Sequence, residues 1–193
     1  SELFYSHDCD YTRTTGIWQT VWLEFVPKSY VKSVKSFPNI AAGTLTVQAE
    51  LCGAGVFSVQ AFFEGRPCGE ASVKAEHGVA TVTLALSEVH LWDAGAGNLY
   101  DLTLSFGEDT VKSYAGLREV SIDGMRVLLN GRPVFQRLVL DQGFYPDGIY
   151  TAPDEAALVR DIELSLAAGF NGARLHEKVF EPRFLYHCDR LGY

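Results

Sequence analysis

Alternating hydrophobic and polar positions dominate residues 30–113. In four runs the apolar side chains recur at every second position, the pattern of a strand with one packed face and one wet face. These runs are residues 43–51, 57–63, 79–86 and 99–106. Turn signals containing glycine separate them, and about seven short strands fit into the stretch. The fold class predicted for residues 28–115 is therefore mainly β, an immunoglobulin-like β-sandwich.

After Gly116 the pattern changes, and short apolar runs alternate with segments whose apolar residues recur at helical spacing. The predicted elements are a hairpin over residues 124–133 turning at Asn130-Gly131, a strand over 134–140, a helix over 154–168 begun by Pro153, a strand over 170–175, and a second helix from Pro182 to Gly192. Strand and helix in alternation predict a parallel sheet covered by helices. We therefore expect a truncated βαβα start of a (β/α)8 barrel over residues 116–193.

The two ends of the sequence predict a piece of a longer protein. Residues 116–193 are too few for an eightfold barrel, which takes about 250 residues. Residues 16–25 have the composition of a strand, and we assign residues 1–27 to the end of a further β domain. The inward face of the barrel strands, which we expect to carry Val139, would lack its opposite wall. Open strand edges then predict self-association.

Composition and charge narrow the classes of partner. Lys and Arg number 16 against 24 Asp and Glu, a net charge of −8, and no basic stripe predicts nucleic-acid binding. No apolar run approaches the roughly 20 residues of a membrane-spanning helix. No signal peptide is visible at the N-terminus, and both a periplasmic or secreted and a cytoplasmic location stay open.

The cysteines and histidines predict neither a metal site nor a cofactor. Cys9, Cys52, Cys68 and Cys188 are far apart in sequence, and none forms a Cys-x-x-Cys pair. The histidines likewise lack ligand spacing. We interpret the cysteines as scattered buried thiols.

Four stretches of the sequence, taken together, are similar to one known family. They are residues 15–23 (TGIWQTVWL), residues 91–93 with 98–101 (LWD, NLYD), residues 116–120 with 129–134 (GLREV, LNGRPV), and residues 161–174 with 188–192, which include GFNGAR and CDRLG. In this order they resemble glycoside hydrolase family 2, the β-galactosidase, β-glucuronidase and β-mannosidase group. The resemblance implies the end of a sugar-binding jelly roll, an immunoglobulin-like domain, and the start of a catalytic barrel.

The resemblance also implies a mechanism. Family members are retaining β-glycosidases that hydrolyse terminal β-linked sugars with two glutamates, whose carboxyl groups lie about 5–5.5 Å apart. In the family both glutamates lie at the ends of later barrel strands, which places them beyond Tyr193. We therefore expect no catalytic residue here and an inactive chain. A β-galactoside is the first expected substrate, with a β-glucuronide or β-mannoside as alternatives.

Five residues are predicted to bind the carbohydrate substrate, because active sites of such barrels lie at the carboxyl ends of the strands. Asp141 and Gln142 follow the first strand, and carboxylates and amides bind sugar hydroxyls. Arg174 stands where the family has an arginine that orients neighbouring carboxylates. His176 and Glu177 follow it. The bland alternatives are a solvated loop and a structural ion pair. The continuation EKVFEP departs from the family's His-Tyr-Pro and leaves the sugar open.

Two other functions compete with the glycosidase. The first is a non-catalytic sandwich that serves as a carbohydrate-binding or protein-interaction module. The second is an unrelated parallel α/β enzyme, which would need a phosphate-binding glycine loop that the sequence lacks. Residues 116–193 discriminate, because an interaction module has no use for βα units. Trp18, Trp22 and Trp92 are interpreted as packing residues rather than a sugar-binding surface.

Overall fold

The computed structural model describes residues 14–75 and 77–193, which form two compact units. The sandwich unit comprises Glu24–Gln136 and Asp189–Tyr193. The βαβ unit comprises residues 14–23 and Arg137–Cys188. The boundaries of these two units differ from those of the three predicted segments, residues 1–27, 28–115 and 116–193. The three-domain division stays a prediction. Residues 1–13 of the first predicted segment lie outside the described residues.

Two antiparallel sheets build the sandwich unit. The strands are β1 (Tyr30–Asn39), β2 (Thr44–Cys52), β3 (Val56–Phe63), β4 (Arg66–Lys74), β5 (Val79–Ala85), β6 (Tyr100–Phe106) and β7 (Asp109–Ala115). The sheet orders are β1-β2-β5 and β4-β3-β6-β7. In constant-type immunoglobulin domains the fourth strand pairs with the sheet of the first; here it pairs with β3. The predicted β-sandwich is confirmed, with this difference in topology.

The core of the sandwich comes from the alternation that the sequence shows. On β2, β3, β5 and β6 every second side chain is buried between the sheets. On these four strands the fully enclosed residues are Leu45, Val47, Ala49, Phe57, Val59, Ala61, Leu84, Tyr100, Leu104 and Phe106. Apolar burial of this kind contributes roughly 25 cal/mol per Å². The four runs predicted as half-buried strands are therefore confirmed.

Three edge strands are not visible as apolar alternation. β1, β4 and β7 each pair on one side only, and β1 and β4 leave many side chains exposed. β4 also contains Pro67, beside a register shift at Ala61/Phe62 on β3. Proline is tolerated there because an edge strand has backbone N–H groups that need no ladder partner. The fourth edge strand, β5, does alternate, because every second side chain of it is buried in the core. The pattern of hydrophobic residues therefore marks the strands that pack in the core and misses the other three edge strands.

A small antiparallel sheet follows the sandwich strands. Its strands are β8 (Val120–Asp123), β9 (Arg126–Leu129) and β10 (Arg132–Pro133), in the order β10-β9-β8. Asn130 and Gly131 join β9 to β10 with φ of 52° and 75°. Positive φ at both central residues is the geometry of a two-residue hairpin turn, and asparagine and glycine tolerate it best. The predicted turn is confirmed.

Residues Asp189–Tyr193 belong to the sandwich unit and contact Trp92, which is 5% exposed. The indole Nε1 of Trp92 donates to the carbonyl oxygen of Asp189 at 2.5 Å. The Tyr114 hydroxyl donates to the Asp189 carboxylate at 3.1 Å, and the Arg118 guanidinium lies 4.6 Å from the Trp92 ring centroid. Trp92 is therefore a packing residue, as predicted.

The βαβ unit contains β11 (Leu138–Asp141), α1 (Glu155–Ala167), β12 (Gly172–Leu175) and most of α2 (Pro182–Leu191). β11 and β12 pair in parallel, which confirms the predicted strand–helix–strand unit. Asp154 caps α1 by accepting from the Ala157 amide at 2.8 Å, so Pro153 precedes the helix instead of beginning it. A two-stranded sheet does not show a barrel, and the (β/α)8 assignment stays a proposal.

The exposed face of the two-stranded sheet is not the one predicted. Val139 is half-buried, whereas Leu138 and Leu140 are 41% and 57% exposed. Leu140 pairs with Arg174, which is also exposed. Because side chains alternate along a strand, Leu138, Leu140 and Arg174 share the open face and Val139 lies on the other. The prediction that Val139 faces the open side is wrong.

Residues 16–25 are not a strand, contrary to the prediction. Residues 14–27 contain no regular element, and Trp22 is 66% exposed. Apolar residues in a row satisfy strand composition, but a strand also needs a neighbour to receive its backbone hydrogen bonds. Within residues 14–75 and 77–193 this segment pairs with no strand. The interpretation of Trp22 as a packing residue stays a prediction.

A polar cluster closes one end of the sandwich around Glu88. The Glu88 carboxylate contacts His90 Nε2 at 2.9 Å and accepts from Arg66 Nη2 at 3.2 Å. The His90 ring stacks on Phe63 with centroids 3.7 Å apart. The Tyr100 hydroxyl donates to the Glu88 carbonyl at 2.7 Å and accepts from the His90 amide. Glu88 and His90 therefore join the ends of β3, β4 and β6 through side-chain contacts.

We expect the Glu88 cluster to make stability depend on acidity. The hydrogen bond with His90, followed by that with Arg66, lowers the pKa of Glu88 below its ordinary 4.5. A lowered folded-state pKa contributes stability above pH 4.5 that is lost as the pH falls toward the lowered value. Glu88→Gln should therefore be less stable than the parent at about pH 7. Urea unfolding monitored by Trp92, in a background with Trp18→Phe and Trp22→Phe, should show the difference narrowing at acid pH.

The matched control for this prediction is Glu108→Gln, in the exposed turn between β6 and β7. Glu108 forms no side-chain hydrogen bond or ion pair within the described ranges. A pH-independent difference for Glu88→Gln, or an equal loss in Glu108→Gln, would contradict the assignment.

Candidate functional site

The parallel register of β11 and β12 brings the predicted site residues to one edge of the sheet. Asp141 is the last residue of β11 and pairs with Leu175, the last residue of β12. The His176 amide then donates to the Asp141 carbonyl at 2.8 Å, which extends the ladder by one bond. Gln142 and Glu177 follow directly in sequence. We refer to Asp141, Gln142, His176, Glu177 and Lys178 as the strand-end cluster.

Two of the predicted residues form side-chain hydrogen bonds, Asp141 within its own loop and Gln142 with the residue that follows β12. The Asp141 carboxylate accepts from the Gly143 amide at 2.7 Å. The Gln142 amide nitrogen lies 3.0 Å from His176 Nδ1. Because an amide nitrogen can only donate, Nδ1 accepts this bond and the neutral ring carries its proton on Nε2. Nε2 lies 3.7 Å from the Glu177 carboxylate. The structure therefore joins Asp141, Gln142, His176 and Glu177 in one polar cluster.

Arg174 is placed differently from these four residues. Its side chain is exposed on the open face of the sheet. Among residues 14–75 and 77–193 it has no ion pair or side-chain hydrogen bond. The structural ion pair that we considered as an alternative is therefore absent from the described residues. A planar guanidinium has five N–H donors and can form forked hydrogen bonds with a carboxylate.

Lys178 is the member of the cluster that the sequence did not single out. Its ammonium donates to the carbonyl oxygens of Gly143 at 2.9 Å and Tyr150 at 2.8 Å. It also lies 4.7 Å from the Phe180 ring centroid and 5.2 Å from that of Trp18. A lysine after a strand is usually a solvated surface residue, and no sequence signal marks one that binds carbonyl groups of a distant loop.

An aromatic groove borders the cluster. Its volume is about 580 Å³, and its lining includes Trp18, Tyr150, Glu177 and Lys178. The Trp18 and Tyr150 rings lie 6.1 Å apart at 53°, and the Thr151 hydroxyl donates to the Trp18 carbonyl at 2.7 Å. Trp18 packs in this unit, as predicted, and also lines the groove. Aromatic rings next to charged groups can bind a ring with an apolar face and hydroxyl edges.

The loop between β11 and α1 is anchored to the helix as well. The Tyr145 hydroxyl donates to the Asp161 carboxylate on α1 at 2.8 Å. Burial, together with this hydrogen bond, raises the pKa of Tyr145. The phenol therefore stays protonated as a donor. On α2 the buried His187 contacts Glu155 at 2.8 Å, while the apolar Leu185 is exposed.

The described residues show neither a metal centre nor a membrane-spanning helix. In residues 14–75 and 77–193 no three His, Cys, Asp or Glu side chains come together as a metal site would require. Cys68 is buried and Cys52 is exposed, so the prediction of buried thiols is confirmed for the first and wrong for the second. Cys9 lies outside the described residues. Of the helices described, none is long and apolar enough to cross a membrane.

Curated relatives are similar to nearly all of this chain. No family model matches it. A β-galactosidase 2 of Enterobacter cloacae is 27% identical over 212 residues, 97% of this chain. A β-galactosidase of Klebsiella pneumoniae (strain 342) is 29% identical over 211 residues, and one of Vibrio vulnificus (strain YJ016) 28% over 211. In each case the match covers 20% of the relative, so the chain spans about a fifth of the relatives' length.

Solved structures share the fold. A β-glucuronidase from Ruminococcus gnavus matches 87% of this chain and 29% of its own length, with a TM-score of 0.75 and 20% identity. The same enzyme in complex with uronic deoxynojirimycin matches with a TM-score of 0.77. Sequence and fold therefore agree: over nearly its whole length the chain is similar to a segment of glycoside hydrolase family 2 proteins, and the resemblance to that family is confirmed.

Proposed function

We propose that this chain is part of a retaining β-glycosidase that releases terminal β-linked sugars, with a β-galactoside as the first candidate substrate. The observation that carries the proposal is the similarity to β-galactosidases over 97% of the chain. The polar strand-end cluster beside an aromatic groove supports a carbohydrate ligand, because hydroxyl groups need paired donors and acceptors and sugar rings pack on aromatic faces.

In this proposal the βαβ unit is the start of a (β/α)8 barrel, and its strand-end cluster forms one side of the substrate site. Asp141, Glu177 and the Gln142 amide would bind sugar hydroxyls, and His176 Nε2 would donate to one. Arg174 would orient a carboxylate by a forked hydrogen bond. The acid/base and the nucleophile would be glutamates outside this sequence, since a retaining mechanism needs two carboxyl groups about 5–5.5 Å apart.

The test compares this chain with a polypeptide extended along its own reading frame, each assayed with nitrophenyl β-galactoside and β-glucuronide. We expect hydrolysis by the extended polypeptide and none by the chain alone, because Asp141 is assigned to hydroxyl binding and Glu177 alone cannot be both acid and nucleophile. Hydrolysis of neither substrate by the extended polypeptide counts against the proposal. Activity of the chain alone that survives purification and disappears in Glu177→Gln would show that the catalytic machinery is here.

A further inference from the structure

We propose that Lys178 is a positioning residue, which fixes the loop over residues 142–150 and thereby holds the Asp141 carboxylate and the Gln142 amide in place. The inference deepens the proposed function and rests on it for the statement that these two groups contact a sugar. The claim about position stands on contacts within the βαβ unit.

The ammonium of Lys178 joins the two ends of the loop. It donates to the Gly143 carbonyl at 2.9 Å near the end of β11 and to the Tyr150 carbonyl at 2.8 Å before α1. Hydrogen bonds from a charged donor are stronger than those between neutral groups. Between these two points the Tyr145 and Ile149 backbones bond to each other at 2.8 and 3.0 Å. A single side chain thus closes a loop whose middle is already a tight turn.

The surroundings of the ammonium suit a cation that is withdrawn from water. Lys178 is half-buried, and the ring centroids of Phe180, Trp18 and Tyr145 lie 4.7, 5.2 and 5.9 Å from its Nζ. Aromatic faces attract a cation electrostatically. Burial lowers the pKa of Lys178, while the charges of Glu181 and Asp141 act in the opposite direction. The positive charge of Lys178 is stabilised by carbonyl groups and aromatic rings, whereas the charge of a surface lysine is stabilised by water.

Gly143 connects the hydrogen bonds of Lys178 to the predicted site residues. Its φ is +58°, and a Cβ at this position would lie 2.5 Å from Lys178 Nζ and 2.9 Å from the Phe180 ring. A side chain here would adopt a strained backbone conformation and would displace the ammonium from the carbonyl it binds or shift the Phe180 ring. The amide of the same residue donates to the Asp141 carboxylate at 2.7 Å. Gln142, which lies between them, reaches His176 at 3.0 Å. Displacing Lys178 should therefore displace both side chains.

The first test uses amide hydrogen exchange on the full chain. In Lys178→Met the amides of Gly143 and Ile149 should exchange about tenfold faster or more, since two charge-assisted hydrogen bonds are lost. The amide of Ile162, in the middle of α1, should not change. Lys35→Met, which removes an exposed lysine from β1, should leave all three amides unchanged. Unchanged exchange at Gly143, or equal acceleration at Ile162, overturns the proposal.

A second variant reaches the same contact from the other side. Gly143→Ala keeps the lysine but places a methyl group in the space of its ammonium, and it should reproduce the faster exchange at Ile149 while sparing Ile162. If the Ile149 amide of Gly143→Ala exchanges as slowly as in the parent, the hydrogen bonds of Lys178 do not order the loop.

The link to substrate is tested in the extended polypeptide. Lys178→Met should raise the KM for nitrophenyl β-galactoside about tenfold and change kcat by less than about twofold, because the groups it positions bind the sugar in ground and transition states alike. An unchanged KM beside faster loop exchange would refute the role in substrate binding. Absence of any glycosidase activity in the unmutated polypeptide would instead count against the proposed function, and the exchange experiments would still decide the positioning.

Discussion

Phe57→Ala is expected to destabilise the sandwich unit by about 3–5 kcal/mol, the usual cost of removing a buried phenylalanine ring. Phe57 is 0% exposed, and its neighbours across the sheet are Val73 on β4 and Phe106 on β6. Truncation removes the transfer free energy of the ring and leaves a cavity that the two packed sheets cannot close. A loss of this size is a large part of the stability of an ordinary domain.

Urea unfolding measures this loss if the signal comes from the sandwich unit alone. A Trp18→Phe, Trp22→Phe background leaves Trp92 as the fluorescent tryptophan, and Trp92 belongs to that unit. The matched control is Phe37→Ala on β1, whose ring is 52% exposed and which should cost less than about 1 kcal/mol. Equal losses in the two variants would mean that Phe57 does not lie in the core.

The predictable part of the sandwich is the part in which burial alternates. β2, β3, β5 and β6 carry the core, so their period of two is written into the residue types. Edge strands such as β4 lack a clear alternation because most of their side chains are not buried, whereas the edge strand β5 alternates because it packs in the core. Which sheet such a strand joins depends on contacts distant in sequence. For this reason the pairing of β4 with β3 could not be derived from local pattern.

Periodicity also predicts a strand–helix–strand unit but not which face of the sheet stays open. Both Val139 and Leu140 are apolar, so the sequence of β11 does not state which of them packs. Register with β12 decides it, because Leu140 lies opposite the exposed Arg174. The segment over residues 16–25 shows the converse: apolar composition without a pairing partner gives no strand among the described residues.

The candidate site was predictable where position follows strand order. Asp141 and His176 come together because residues that follow neighbouring parallel strands share an edge. The role of Lys178 was not predictable, because its partners are the backbone carbonyls of Gly143 and Tyr150. Every residue type has a backbone carbonyl, so the sequence does not indicate which of them bind a lysine. The glycine at 143 has a reason in the structure, but sequence alone presents it as an ordinary loop residue.

Arg174→Lys in the extended polypeptide is expected to lower kcat/KM about ten- to a hundredfold, which corresponds to the roughly 1.5–3 kcal/mol of a hydrogen bond to a charged group. The substitution keeps the charge but loses the planar fork that would bind a carboxylate with two parallel bonds. Arg174 is exposed and without an ion pair in residues 14–75 and 77–193, so its removal breaks no described contact, and unfolding of this chain should be unaffected. Arg160→Lys on the exposed side of α1 is the matched control and should keep the parent kcat/KM. Since lysine still supplies a positive charge, a loss in Arg174→Lys alone isolates the geometry of the guanidinium as its cause. An Arg174→Lys variant with the kcat/KM of the parent would show that this arginine orients no group of the active site.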